Sequence, residues 1–232
     1  MEYVDRSGVG SEGGAPYDHD VMVDLGAVRL PGRLTVPAEP VGAVVFAHGR
    51  GSSHHSPRNQ RMAAALNDVR IATLLLDLLS PEEGTVRANN FDIPLLGRRL
   101  LVATQWLHRQ PGLAGVPVGY VGAHTGAAAA FWAATEADED IVTVVSRGGR
   151  PDLADARLHD VRCPVLLVVG GDDDLTLTVN REALFKLHCE VRLAIVPGAT
   201  HYFSEPGTLD AVATLARDWF VRHLNRTSLS SR

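Results

Sequence analysis

The stretch that most constrains the fold is residues 118–130, Val-Gly-Tyr-Val-Gly-Ala-His-Thr-Gly-Ala-Ala-Ala-Ala. A short apolar run ends at Gly122, small residues follow, and an alanine-rich segment with Phe131 and Trp132 takes over. The hydrophobic period switches from strand to helix within a few residues, so only a sharp turn fits between them. Gly122 and Gly126 flank that turn and let the two backbones approach closely.

The same alternation recurs on either side. Residues 41–47, Val-Gly-Ala-Val-Val-Phe-Ala, are apolar on both faces, as a central strand of a parallel sheet must be. Residues 71–76 and 141–145 read as further buried strands, and residues 164–169 and 189–196 as the last two strands. Helical stretches separate them: Ser56-Pro57 caps and starts one through Asn67, and others cover residues 91–110, 177–188 and 208–224. Two short apolar runs within residues 21–36, separated by Leu30-Pro31-Gly32, suggest antiparallel edge strands with the turn at that tripeptide. The pattern predicts an α/β fold, a mainly parallel central sheet with helices on both faces and functional groups beyond the strands' carboxyl ends. One domain is expected over residues 21–226, after a loose polar arm at residues 1–20 and before a short tail at 227–232.

A formal charge of -5 and a pI near 6.0 offer no basic footprint for nucleic acid. No apolar stretch reaches membrane-spanning length, and the N-terminus lacks a basic segment followed by an apolar run. The expectation is a soluble, cytoplasmic protein without a membrane partner. Cys163 and Cys189 each open a predicted strand, which fits small buried residues rather than a disulfide framework or metal knuckle.

Four loops at the sheet's carboxyl edge carry residues with chemistry. The first is His48-Gly49-Arg50-Gly51-Ser52-Ser53-His54-His55, a flexible turn that presents backbone amides. The second is Gly122-Ala123-His124-Thr125-Gly126. It has the frame of G-x-S-x-G, in which a nucleophile sits on a strained turn above the sheet, with histidine where the serine belongs. The third is Gly170-Gly171-Asp172-Asp173-Asp174, and the fourth ends in Ala199-Thr200-His201. An elbow, then an acid after a later strand, then a histidine after the last strand is the chain order of α/β-hydrolases.

Outside those loops, Arg147 and Arg150 lie in a glycine-rich stretch and either pair with Asp152 or Asp155 or bind a substrate carboxylate or phosphate. Residues 78–90 read as a polar loop that can wall a pocket. His48 reads as a structural hydrogen-bonding residue. His108, His188 and His223 fall near predicted helix ends, where the helix dipole accounts for them.

On these motifs the chain resembles, from Val21 to Leu224, an α/β-hydrolase of the dienelactone hydrolase-like group. The resemblance implies hydrolysis of a small ester, lactone or related acyl compound by a serine or cysteine at the elbow. It implies Asp173 as the orienting acid, with Asp172 and Asp174 as competitors, and His201 as the general base. It further implies oxyanion donors at the amides of Arg50 and Thr125, a small-molecule acyl substrate or ligand as partner, and no cofactor.

His124 departs from that pattern. An imidazole projects farther than a hydroxymethyl group and fills space where the scissile carbonyl would stand, so serine-type activity is expected to be reduced, absent or altered. Three readings stay open. Neutral His124 can itself attack an activated ester, and its reference pKa of about 6.5 makes the free base available at neutral pH. Two imidazoles near a carboxylate, joined by His54 or His55, resemble a transition-metal set. No short ligand spacing supports that set, and Asp173 is committed behind His201, so no metal is expected. The last reading is a ligand-binding protein that keeps the pocket without turnover, its nucleophile lost or replaced.

Overall fold

Eight strands, the central ones buried on both faces, form the middle of the molecule. In chain order they are β1 (Tyr17–Asp24), β2 (Arg29–Val36), β3 (Gly42–Ala47), β4 (Ile71–Leu76), β5 (Val118–His124), β6 (Ile141–Gly149), β7 (Val165–Gly170) and β8 (Val191–Val196). Every residue of β3, β4 and β7 is buried, which is why their sequences show no polar alternation. The eight strands make one sheet in the order β1-β2-β4-β3-β5-β6-β7-β8. β2 runs antiparallel to both β1 and β4, and all other neighbours are parallel. The structure is a computed structural model and describes residues 15–26, 28–48, 53–136 and 141–227.

Helices α1 (Pro57–Asn67), α2 (Pro81–Thr85), α3 (Ile93–His108), α4 (Thr125–Ala134), α5 (Asp174–Lys186) and α6 (Thr208–Thr227) connect and close the sheet. Leu96, Leu100 and Ala103 of α3, with Ala127 to Phe131 of α4 and Ala183 of α5, pack in one apolar cluster. Met62, Ala63 and Leu66 of α1 join Val212, Ala216, Trp219 and Phe220 of α6 in a second cluster, which takes in Val44 and Phe46 of β3. Each fully buried aliphatic or aromatic side chain contributes about 1.5–3 kcal/mol. Two buried polar pairs are matched within the core: Tyr120 and Thr104 share a hydroxyl hydrogen bond of 2.8 Å, and the Trp219 indole donates to Thr143 at 2.7 Å.

Several local readings are corrected by this arrangement. The first hairpin is closed after Asp24, where the Leu25 amide donates to the Val28 carbonyl at 2.9 Å. Leu30-Pro31-Gly32 instead lies inside β2. There the Pro31 carbonyl accepts from the Asp77 amide, and a β-carbon on Gly32 would stand 2.6 Å from the Leu75 carbonyl oxygen. β2 is therefore an inner strand. Residues 17–20, assigned to the loose arm, belong to β1, where Asp18 pairs with Arg33 at 2.7 Å. Residues 1–14 and 228–232 lie outside the described residues.

The polar stretch 78–90 is more ordered than a connector. Ser80 and Glu83 form a reciprocal cap on α2, and Glu83 takes a two-pronged ion pair from Arg99 at 2.7 and 2.6 Å. Arg99 of α3 is tied down by that pair. β6 likewise continues through Gly149, where a loop was expected after Val145. Cys163 and Cys189 are free, partly buried, and just precede β7 and β8; burial pushes the Cys163 thiol up to about 12.

Candidate active site

His124 ends β5 and precedes α4 with φ 52° and ψ -123°. An L-residue with a side chain rarely adopts that backbone, and holding it there costs roughly 1–3 kcal/mol. The surroundings enforce it. A β-carbon at Gly122 would lie 2.3 Å from the Ala127 Cα, and one at Gly126 would lie 2.1 Å from the Ala47 carbonyl oxygen. The two glycines thus press α4 against β3 and β5 and lift residue 124 onto a strained apex.

Asp173 and His201 meet because β7 and β8 are adjacent and their exit loops bond to each other. The Gly171 amide donates to the Val196 carbonyl at 2.8 Å and the Asp172 amide to the Ala199 carbonyl at 3.0 Å. Asp173 then caps α5, accepting from the Thr176 amide at 3.3 Å, while its other oxygen sits 2.7 Å from His201 Nδ1. An ionised carboxylate only accepts, so Nδ1 is the donor and Nε2 is left as the basic nitrogen. Burial alone would raise the Asp173 pKa, but bonds from Thr176 and His201 outweigh it and hold the acid below its usual value. Asp172 and Asp174 are exposed, as the choice of Asp173 required.

The imidazoles of His124 and His201 stand edge to face, 6.1 Å between ring centres at 87°. Burial lowers the His124 pKa, and the positive fields of His201 and Arg150 lower it further against a smaller opposing pull from Asp152. Arg150 is itself neutralised by Asp152 through two bonds of 2.8 and 2.6 Å. His124 Nδ1 is buried without a hydrogen-bond partner, an arrangement that costs roughly 1–3 kcal/mol. A strained backbone, an unpaired buried nitrogen and a lowered pKa coincide on one side chain, a combination concentrated at functional sites.

Thr125 opens α4 and is buried, so its amide lies at the helix N-terminus beside the apex. Arg50, the other expected oxyanion donor, lies outside the described residues. His54, considered as a third metal ligand, is committed elsewhere: its Nδ1 and backbone amide both donate to Asp77, at 3.0 and 2.7 Å. His48 donates from Nε2 to the same carboxylate at 2.8 Å, in keeping with a structural role. Among the described residues no cluster of three or more His, Cys, Asp or Glu side chains is arranged to hold a metal.

Sequence reasoning missed Thr176 and Asn180. Thr176 bonds Asp173 through its amide, and its hydroxyl approaches His201 Nδ1 at 3.4 Å. Asn180, one turn on and fully buried, donates to the Gly149 carbonyl at 3.0 Å and ties α5 to the strand beside His124. A Thr-x-x-x-Asn spacing on a polar helix face was the available signal.

A profile of the Dienelactone hydrolase family matches residues 87–225. The crystal structure of dienelactone hydrolase from Anabaena variabilis is similar at TM-score 0.85 and 47% identity, covering 90% of this chain and 99% of that one. The chain belongs to the dienelactone hydrolase family. Its mostly parallel eight-stranded sheet is the dienelactone hydrolase arrangement, and the Butyrivibrio proteoclasticus protein Est1E shares that fold at TM-score 0.76 and 13% identity. A Mycobacterium tuberculosis relative provisionally named a phosphoribosyl transferase is 54% identical over 207 residues, which are 89% of this chain and 47% of that protein. The chain thus spans about half the length of the curated relatives it matches. Among the described residues of this dienelactone hydrolase family member, no helix is long and apolar enough to cross a membrane.

Proposed function

We propose that the carboxyl-edge site is an acyl-hydrolase site in which His124 holds the attacking position, His201 is the base and Asp173 orients it. The single observation carrying this reading is the strained φ of 52° at residue 124, at a strand-to-helix apex whose ring stands 6.1 Å from the Asp173-supported imidazole. Membership of a hydrolase lineage supports the same reading.

Bulk at position 124 disfavours the serine mechanism, so the unmodified protein handles only activated esters or lactones, slowly. Its lowered pKa keeps His124 neutral at pH 7. Nε2 of His124 attacks the acyl carbonyl and the aryloxide or alkoxide leaves, giving an N-acyl-imidazolium in which the buried Nδ1 keeps its proton. His201 Nε2 then takes a proton from an attacking water, the acid is released, and His124 is restored. The amides of Thr125 and Arg50 are assigned to the oxyanion.

Initial rates on p-nitrophenyl acetate, for the protein and for His124→Ser, test the reading. The expected result is a rise of about 100-fold or more with serine, in the range one well-placed catalytic group supplies. Equal rates would favour imidazole chemistry as the evolved activity. Inactivity in both would favour a protein that binds an acyl ligand without turnover.

A further inference from the structure

The chain has two cysteines in 232 residues, and the sheet sets them side by side. Cys163 stands just ahead of Val165 and Cys189 equally far ahead of Val191, and those valines are paired across the parallel strands β7 and β8. The Val165 amide donates to the Glu190 carbonyl at 2.8 Å, which holds the two incoming segments in that register. Side chains two positions apart share a face of a strand, so both thiols lie on the face of Val165 and Val191. All four residues belong to one apolar cluster or pack against it. Neighbouring strands run about 4.8 Å apart, inside the roughly 4.4–6.8 Å between Cα atoms that a disulfide spans. The thiols also sense each other: burial, and after it the charge of a Cys189 thiolate, push the Cys163 thiol up to about 12.

The place is one where a bond between the strands has a consequence. β8 ends the sheet, so among the described residues β7 is its one strand neighbour. An edge strand is bonded on one side and opens more readily than a central one. β7 leads into Asp173 and β8 into His201, and their exit loops are fastened to each other at the carboxyl edge. The cysteines sit at the opposite, amino edge, where a covalent link closes the other end of the same strand pair. Both thiols are free in this structure. Burial raises Cys189 as well as Cys163, and only a thiolate is nucleophilic, so the pair stays reduced until an oxidant persists.

We infer that Cys163 and Cys189 are a conditional disulfide site, which clamps edge strand β8 to β7 when a peroxide oxidises the pair. The Cys189 thiol, the less deeply buried, reacts first. Its thiolate attacks hydrogen peroxide, the O–O bond breaks, and Cys189 becomes a sulfenic acid while hydroxide leaves and takes up the proton the thiol had released. The Cys163 sulfur then attacks the Cys189 sulfur, the S–O bond breaks, and water departs with the Cys163 proton. Two thiols lose two electrons in all, and one peroxide gains them and ends as two waters. The bond forms at the edge of the sheet away from His124 and needs no acyl substrate, so this inference and the acyl-hydrolase reading fail separately.

Treating the folded protein with hydrogen peroxide at about pH 8.5, where more thiolate is present, then alkylating it and mapping its peptides by mass spectrometry, tests the site. The expected product is one bridge within the molecule that joins the Cys163 and Cys189 peptides. Both thiols should disappear in step, and dithiothreitol should restore both. The bridge should raise the melting midpoint by about 5 °C, because it closes a loop in the unfolded chain. Cys163→Ala and Cys189→Ala should show neither the bridge nor the rise. Separate sulfinic acids at the two positions, bridges between molecules, or thiols that stay free until the protein unfolds would overturn the site. A bridge that leaves the midpoint unmoved would overturn the clamp. The mapping uses the unmodified protein, so it decides the matter even where an alanine variant fails to fold.

Discussion

Two histidine clusters share the sheet's carboxyl edge, and they differ in how completely they are satisfied. In the first, Asp77 takes three bonds from His48 and His54 at 2.7 to 3.0 Å, and both imidazoles are largely buried. In the second, Asp173 takes one imidazole, that of His201, beside the Thr176 amide, and the facing His124 leaves its buried Nδ1 unpaired on a strained backbone. The same residue types make a closed structural staple in one place and an open, reactive pair in the other. What separates them is satisfaction: a group whose hydrogen bonds are all matched holds structure, and one left poised can do chemistry.

The contrast can be broken by exchanging which property each carboxylate controls. In a His124→Ser background, Asp173→Asn should lower kcat/KM for an aryl ester by roughly 10³–10⁴-fold, because the amide no longer fixes or supports the imidazole. Asparagine still caps α5, so the melting midpoint should scarcely move. Asp77→Ala should do the reverse and cost about 2–3 kcal/mol of stability by urea titration, from the loss of hydrogen bonds to a charged group. The Asp77 pKa is held low because bonds from His48 and His54 outweigh burial, so its contribution is present above the ordinary carboxylate value. That contribution fades as the pH falls below about 4, through the folded value. Equal effects of the two substitutions on both measurements would erase the distinction.

A smaller effect sharpens it. His124→Gly should stabilise the protein by about 1 kcal/mol, since glycine adopts the apex conformation without strain. His124 has a folded pKa below its unfolded value, so the unfolded chain binds more protons in that window. Stability should therefore fall as the pH drops from about 6.5 toward the folded value, and His124→Gly should flatten that slope. An unchanged slope in urea titrations at pH 5.5 and 7.5 would place the depressed titration elsewhere.

Much of this was legible in the sequence, for identifiable reasons. Buried parallel strands carry uninterrupted apolar runs, so β3, β4, β5 and β7 announced themselves, and their order placed four loops at one edge. Asp173 stood out by its offset from Gly170-Gly171, and its neighbours do face solvent. The illegible parts depend on tertiary contact. Gly148 and Gly149 look like a loop, yet they extend β6: Gly148 takes φ 51°, and a β-carbon on Gly149 would lie 2.1 Å from the Ser146 hydroxyl. Pro31-Gly32 looks like a turn but is a strand shaped to its neighbour. Asp77 joins partners 23 and 29 residues away, a pairing no local period encodes.

The central claim is that residue 124 occupies an attacking position served by His201. Labelling with a fluorophosphonate, read by intact-mass and peptide mass spectrometry, tests it most directly. His124→Ser should acquire one adduct, at position 124, and combining it with His201→Ala should slow labelling at least about 100-fold. An adduct elsewhere, no adduct at all, or labelling at the same rate without His201 would contradict the account.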